Sequence, residues 1–200
     1  MIILLSPAKT LDEAPAALLK PAATQPAFEV GCLQLVGELK KLPADKLKAV
    51  LKDVSAALAS LNANRYKEFE AQPSKQCVLA YDGPAYKGLQ ASAMSNSQLL
   101  FAQDHLRILS GLYGLLRPLD AIRPYRLDMG CKVACGDAKD LYAFWSARIT
   151  AALNEQLAAQ QAAGEEAFIV NVASQEYFKA VDTKALQYPV YTVSFPGPSV

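Results

Sequence analysis

The chain reads as a mixed α/β domain: a central mixed sheet flanked by helices. Three observations point there. Short apolar runs of strand length occur at residues 1–5, 77–81, 168–172 and 190–195. Longer stretches with apolar residues at helical spacing lie between them. Nothing in the 200 residues reads as a linker, a repeat or a long charge run, so residues 1–195 form one domain and residues 196–200 an irregular tail.

Apolar residues make up 52% and charged residues 20%, the balance of a folded chain. A net charge of +1 argues against a generally basic coat protein for nucleic acid and leaves room for a local basic face. The opening MIILL is too short for a signal-peptide core, Pro7 follows closely, and no apolar run reaches membrane-span length. A cytoplasmic protein with no membrane partner is expected. Cys32, Cys77, Cys131 and Cys135 then read as free thiols. With one His and no second close Cys pair, the Cys131/Cys135 pair falls short of a four-ligand zinc site, so no metal or cofactor is expected.

Residues 1–5 are the first strand. Ser6, Lys9 and Thr10 follow at its end, where open α/β sheets commonly bind ligands. This loop reads either as a phosphate site without P-loop glycines or as an ordinary strand exit. Residues 11–27, rich in Ala and Pro, form an irregular loop. Residues 28–42 carry Val30, Leu33, Val36, Leu39 and Leu42 at helical spacing, and Pro43 ends that helix. Residues 44–51 and 54–61 read as two short helices, and 62–69 as the start of another. Asn62, Arg65 and Tyr66 share a face of its first turn, either as a site or as a cap with a solvated Arg. Residues 77–81 are the second strand, ended by Asp82-Gly83. Tyr86 and Lys87 beside Gly88 then line a cleft or a turn. Ser95 and Gln98 form a capping box for a helix to about residue 109. Asp140 caps a long helix from Leu141, with Leu141, Phe144, Trp145, Ile149 and Leu153 inward. Asn171, Ser174, Tyr177 and Lys179 follow the third strand, and residues 190–195 are the fourth.

The densest stretch is Asp104–Gly130. It holds four of the six arginines, Arg107, Arg117, Arg123 and Arg126, with the only His, His105, and the glycine pair Gly111 and Gly114. Forked guanidinium donors and freed N–H groups suit a phosphate. A buried turn whose arginines pair with carboxylates has the same composition. LSGLYG reads either as a hairpin presenting N–H groups to DNA phosphate or as a short core strand. Its glycines stand three apart, where the usual hairpin has them two apart. Pro118 and Pro124 stiffen the backbone beside Arg117, Arg123, Tyr125 and Arg126.

SPAKTL at Ser6, SGLYGLLRPLD at Ser110, PYRLDMG at Pro124, KDLYAFW at Lys139 and NVASQEYFK at Asn171 together resemble the YaaA family of bacterial peroxide-stress proteins, in order from residue 1 to about 195. The resemblance implies a mixed α/β fold with a basic cleft and a helix-hairpin-helix-like element. It also implies binding of duplex or distorted DNA and a role in limiting iron-driven DNA damage. Family members continue for several dozen residues through a Lys-x-Ala-Arg-Gly motif, whereas this chain ends in a Pro-Gly-Pro tail. It therefore reads as C-terminally shortened.

Two functions follow. The first is sequence-independent DNA binding, with Lys9, Arg107, Arg117, Arg123, Arg126 and the N–H groups near Gly111 and Gly114 on phosphates. The second is an enzyme acting on a nucleotide or damaged base. Its pocket would draw on Ser6, Thr10, Asn62, Arg65, Tyr86, Tyr125, Asn171, Ser174, Tyr177 and Lys179, with Asp128 as base. Iron storage is disfavoured, since the Glu-x-x-His pairs of ferritin-like sites are missing.

Overall fold

The structure, a computed structural model, describes residues 1–15, 21–51 and 53–194. The expected tail lies outside the described residues, as does part of the loop after Leu11.

In chain order the elements are β1 (Ile2–Leu5), β2 (Thr10–Leu11), α1 (Glu29–Leu39), α2 (Ala44–Leu51) and α3 (Ala56–Lys67). Next come β3 (Lys75–Gln76), α4 (Cys77–Ala80), β4 (Tyr81–Asp82), α5 (Pro84–Leu89) and α6 (Asn96–His105). Then follow β5 (Leu106–Ser110), β6 (Gly114–Leu116), β7 (Ala121–Ile122), α7 (Leu141–Ala162), β8 (Ile169–Asn171), α8 (Gln175–Phe178) and β9 (Val190–Thr192). Five strands form the central sheet in the order β6-β5-β1-β8-β9. β5, β1, β8 and β9 run parallel, and β6 is antiparallel to β5. This is the mixed sheet expected. Among the described residues no helix is long and apolar enough to cross a membrane.

β1 is central because its apolar residues serve two faces. Ile2 and Leu4 are fully buried in one core with Trp145, Ile149, Leu153 and Leu157 of α7. α7 starts where Asp140 accepts a bond from the Ala143 N–H at 2.8 Å. Trp145 packs edge-on to Phe144, with ring centroids 4.7 Å apart, and its Nε1–H donates to the Gly111 carbonyl at 2.9 Å. The capping box on α6 is present, with Ser95 and Gln98 bonded reciprocally.

Four expectations are corrected. LSGLYG is a β-hairpin within the sheet, not a helix-hairpin-helix element: Ile108 pairs with Leu116 and Leu109 with Leu115. The Ser110 hydroxyl closes the turn by accepting from the Tyr113 N–H at 3.0 Å. Buried apolar residues throughout the hairpin favour a ladder inside the core over a surface loop. The run at residues 77–81 is mostly a helical turn. The Cys77 and Val78 N–H groups bond out to the Asp120 and Pro118 carbonyls at 2.8 and 3.0 Å, and only Tyr81 at the end of the run joins a ladder, opposite Leu11. Residues 56–67 form one helix rather than two. Asn62 does not cap; it donates to the Leu58 carbonyl at 2.9 Å inside the helix and is fully buried. α6 ends at His105 because Leu106 turns to extended backbone and joins β1.

Candidate functional site

Because β1, β5 and β8 are parallel neighbours, their carboxyl ends share one edge of the sheet. Ser6 leaves β1 there and meets Ser174. Its Oγ accepts from the Ser174 N–H at 2.9 Å and lies 3.3 Å from the Ser174 Oγ. The buried Tyr86 hydroxyl donates to the Ser6 carbonyl at 2.8 Å. Asn171 shapes the exit of β8 by accepting from the Ala173 N–H at 3.0 Å. These bonds tie the Ser6–Thr10 loop to α5 and to the start of α8.

Asp128 lies at the centre of this edge. The Arg126 Nη2 donates to its Oδ2 at 2.9 Å, the Lys9 ammonium stands 4.0 Å from the same oxygen, and the Tyr177 hydroxyl donates to Oδ1 at 3.4 Å. The Arg126 Nη1 also bonds the Lys9 carbonyl at 3.2 Å. Burial, and after it the charge of Asp128, pushes the Tyr177 hydroxyl well above the ordinary tyrosine range, so it remains a donor at neutral pH. Behind it, the Tyr125 hydroxyl bridges Ser110 and Tyr81, at 2.7 Å to each, and burial holds Tyr125 and Tyr81 protonated as well. The backbone just before Asp128 is anchored by the Tyr66 hydroxyl on the Arg126 carbonyl at 2.6 Å. Lys9, Arg126 and Asp128 together carry one net positive charge. The Lys9 side chain is 68% exposed, against 12% for Arg126 and 17% for Asp128. Lys87, on the helix that carries Tyr86, adds a second exposed ammonium, paired with Asp82 at 3.2 Å.

The other arginines do not gather here. Arg107 is buried, and its Nη1 donates to the Gln103 and Leu106 carbonyls, both at 2.7 Å. Desolvation lowers its pKa to about 10. Arg117 is held by the fully buried Asp120 at 3.0 Å and by the Gln25 carbonyl at 3.1 Å. Arg123 lies over the Phe69 ring, 5.7 Å from its centroid, and its buried Nε has no hydrogen-bond partner among the described residues. It borders a groove of ≈ 710 Å³ whose wall includes Leu11, Pro15, Ile122 and Pro124. Gly111 and Gly114 are buried, and at each of them protein fills the space a side chain would need. A Cβ on Gly111 would meet the Leu127 carbonyl oxygen, and one on Gly114, at φ +72°, would meet the Trp145 ring.

Of the pocket residues, Ser6, Tyr86, Tyr125, Asp128, Ser174 and Tyr177 come together with Lys9 and Arg126. Thr10 pairs with Asp82 in the small β2–β4 ladder, and Asn171 serves the β8 turn. Asn62 and Arg65 lie apart, where Arg65 bonds Glu13 and Asn62. The Lys179 ammonium sits over the Tyr142 ring, 4.9 Å from its centroid. Sequence reasoning missed Ser110, Tyr81 and Glu176. Glu176 accepts from the Gly130 N–H at 2.9 Å and so joins α8 to the Asp128 segment. Ser110 and Glu176 stood inside the quoted motifs SGLYG and NVASQEYFK, and that was their only signal.

The chain as a whole is similar to known proteins. The family described as "Peroxide stress protein YaaA" matches residues 1–197. A UPF0246 protein of Burkholderia vietnamiensis is 49% identical over 200 residues, covering 98% of this chain and 75% of the relative. UPF0246 proteins of Burkholderia multivorans and Burkholderia cenocepacia are 50% and 49% identical with the same coverage.

Proposed function

The chain belongs to the YaaA peroxide stress protein family, and from that premise we propose that it binds DNA without sequence preference and limits iron-driven DNA damage under peroxide. It acts in the cytoplasm, and its effect on iron is indirect. One observation carries the reading: an exposed Lys9 ammonium stands beside Arg126 at the strand ends, in a cluster with one positive charge in excess. Lys9, Lys87 and Arg126 contact phosphates at the strand ends, and Arg123 adds a contact from the separate groove that it borders. Arg107 and Arg117 hold the fold beneath them. Each phosphate contact releases counterions, so about two to four contacts give a log–log salt slope of about −2 to −4 on duplex. Fluorescence anisotropy with duplex and bubble DNA across a salt series tests this. Affinity that ignores salt overturns it.

A second reading is favoured by one specific feature. The Asp128 carboxylate lies between an arginine and a protonated tyrosine, beside the Ser6–Ser174 pair. That is an acid–base arrangement suited to an enzyme acting on a nucleotide or damaged base. Turnover of a nucleotide panel that disappears in Asp128→Asn supports this reading. Equal turnover in that variant removes it.

A further inference from the structure

A parallel sheet is ordinarily covered on both faces, since neither face suits water. Here one face is closed and the other is half open. Ile2, Leu4 and Ile169 lie in the core with α7. On the opposite face, Leu106 and Ile108 of β5 are buried. The residues in register with them across β1, β8 and β9, namely Ile3, Val170 and Tyr191, are not. Tyr191 is 61% exposed, Val193 42%, and Phe101 on the α6 rim 55%. At the Ile3 end of this row a cavity of ≈ 600 Å³ opens, lined by residues that include Ile3, Leu5, Leu89, Met94, Phe101 and Val172. Among the described residues no Asp, Glu, Lys or Arg lines it, and Ser97, Gln98 and His105 are its polar members, so it suits a mainly apolar occupant better than a polyanion.

The relatives point to that occupant. The match covers 75% of each, so a quarter of each relative lies outside it. We infer that the open Ile3–Val170–Tyr191 face is the seat of that quarter, laid across β1, β8 and β9 as an amphipathic segment with its apolar side inward. β9 stands at the end of the sheet, so such a segment reaches the face without crossing another described strand. This inference rests on the fold and on the relatives' length, and is independent of the DNA reading.

The test joins the unmatched quarter of the Burkholderia vietnamiensis relative to this chain in the order the relative has it. Hydrogen exchange at Ile3, Val170 and Tyr191 and binding of a hydrophobic dye are compared with the 200-residue chain. The expected result is at least about tenfold slower exchange at those amides and loss of dye binding. In the joined chain, Tyr191→Asp, a change at an exposed position, restores the dye binding. Unchanged exchange and dye binding overturn the inference, and so does protection confined to another surface. If the 200-residue chain by itself is a dimer that Tyr191→Asp splits, the face belongs to a second copy and the inference also fails.

Discussion

Gly111→Ala probes why the central motif carries its first glycine. A Cβ at this position would lie 2.3 Å from the Leu127 carbonyl oxygen and 3.1 Å from the Leu127 and Asp128 carbonyl carbons. A relaxed carbon–oxygen contact is about 3.3 Å or more, so the two chain segments must part by about 1 Å. Neither yields easily. The Gly111 carbonyl is bonded by Trp145 at 2.9 Å, and the Arg126 carbonyl by Tyr66 at 2.6 Å. Overpacking costs about 1–3 kcal/mol where side chains can adjust, and here both neighbours are backbone. Adding one strained buried hydrogen bond gives about 3–5 kcal/mol. For a domain of this size that lowers Tm by about 6–20 °C. The assay is thermal unfolding followed by circular dichroism and by the single tryptophan. Gly37→Ala is the control. It lies in α1 with nothing within 4 Å of its Cβ position, so it holds or raises Tm slightly. A Gly111→Ala protein that melts within about 2 °C of the parent refutes this reasoning.

Three further outcomes are expected. Asp128→Asn frees Arg126 from its carboxylate while keeping the shape of the site, so DNA affinity rises about three- to tenfold at low salt; a weaker complex contradicts the assigned role. Trp145→Phe leaves the Gly111 carbonyl without its donor and opens a gap in the core, costing about 2–4 kcal/mol in urea unfolding; a loss under about 1 kcal/mol would mean the bond is dispensable. Burial holds the hydroxyls of Tyr66, Tyr81, Tyr86, Tyr113, Tyr125 and Tyr177 well above the ordinary range. Above about pH 10 the unfolded chain releases these protons and the folded chain keeps them, so stability falls with rising pH, by up to about 8 kcal/mol per pH unit. Arg107, with its pKa lowered to about 10, opposes this by one group only. An absorbance titration of tyrosinate therefore shows a cooperative step coincident with unfolding, and a smooth titration of all nine tyrosines near pH 10 would contradict the burial.

Helix starts were the most legible feature, because caps are local chemistry. Ser95 with Gln98, and Asp140 before Leu141, could be read directly, as could the inward stripe from Leu141 to Leu153. Residues 77–80 could not, since a short apolar run fits a strand and a buried helical turn equally; the deciding bonds come from residues 118–120, some forty positions away. Asn62 resembled a helix start because its side chain competes for backbone groups, and here it competes from inside a helix. The site was half legible. Polar residues after strand ends gathered as expected, because parallel strands bring their ends together. The arginines close in sequence dispersed. Arg107 and Arg117 found carbonyls and a buried carboxylate inside the fold. Only Arg126 and Asp128, two residues apart in the segment after β7, kept their pair in the site.

The proposed DNA binding rests on the cluster of Lys9, Arg126 and Asp128 meeting phosphate. Its most direct test is the salt slope of duplex binding for the parent chain and for Lys9→Ala, with folding confirmed by circular dichroism. Lys9 is exposed and its ion pair is long, so the substitution leaves the fold intact. The expected parent slope is about −2 to −4, reduced in magnitude by about one in Lys9→Ala on every sequence tried. A parent slope near zero, or one that Lys9→Ala leaves unchanged, would contradict it.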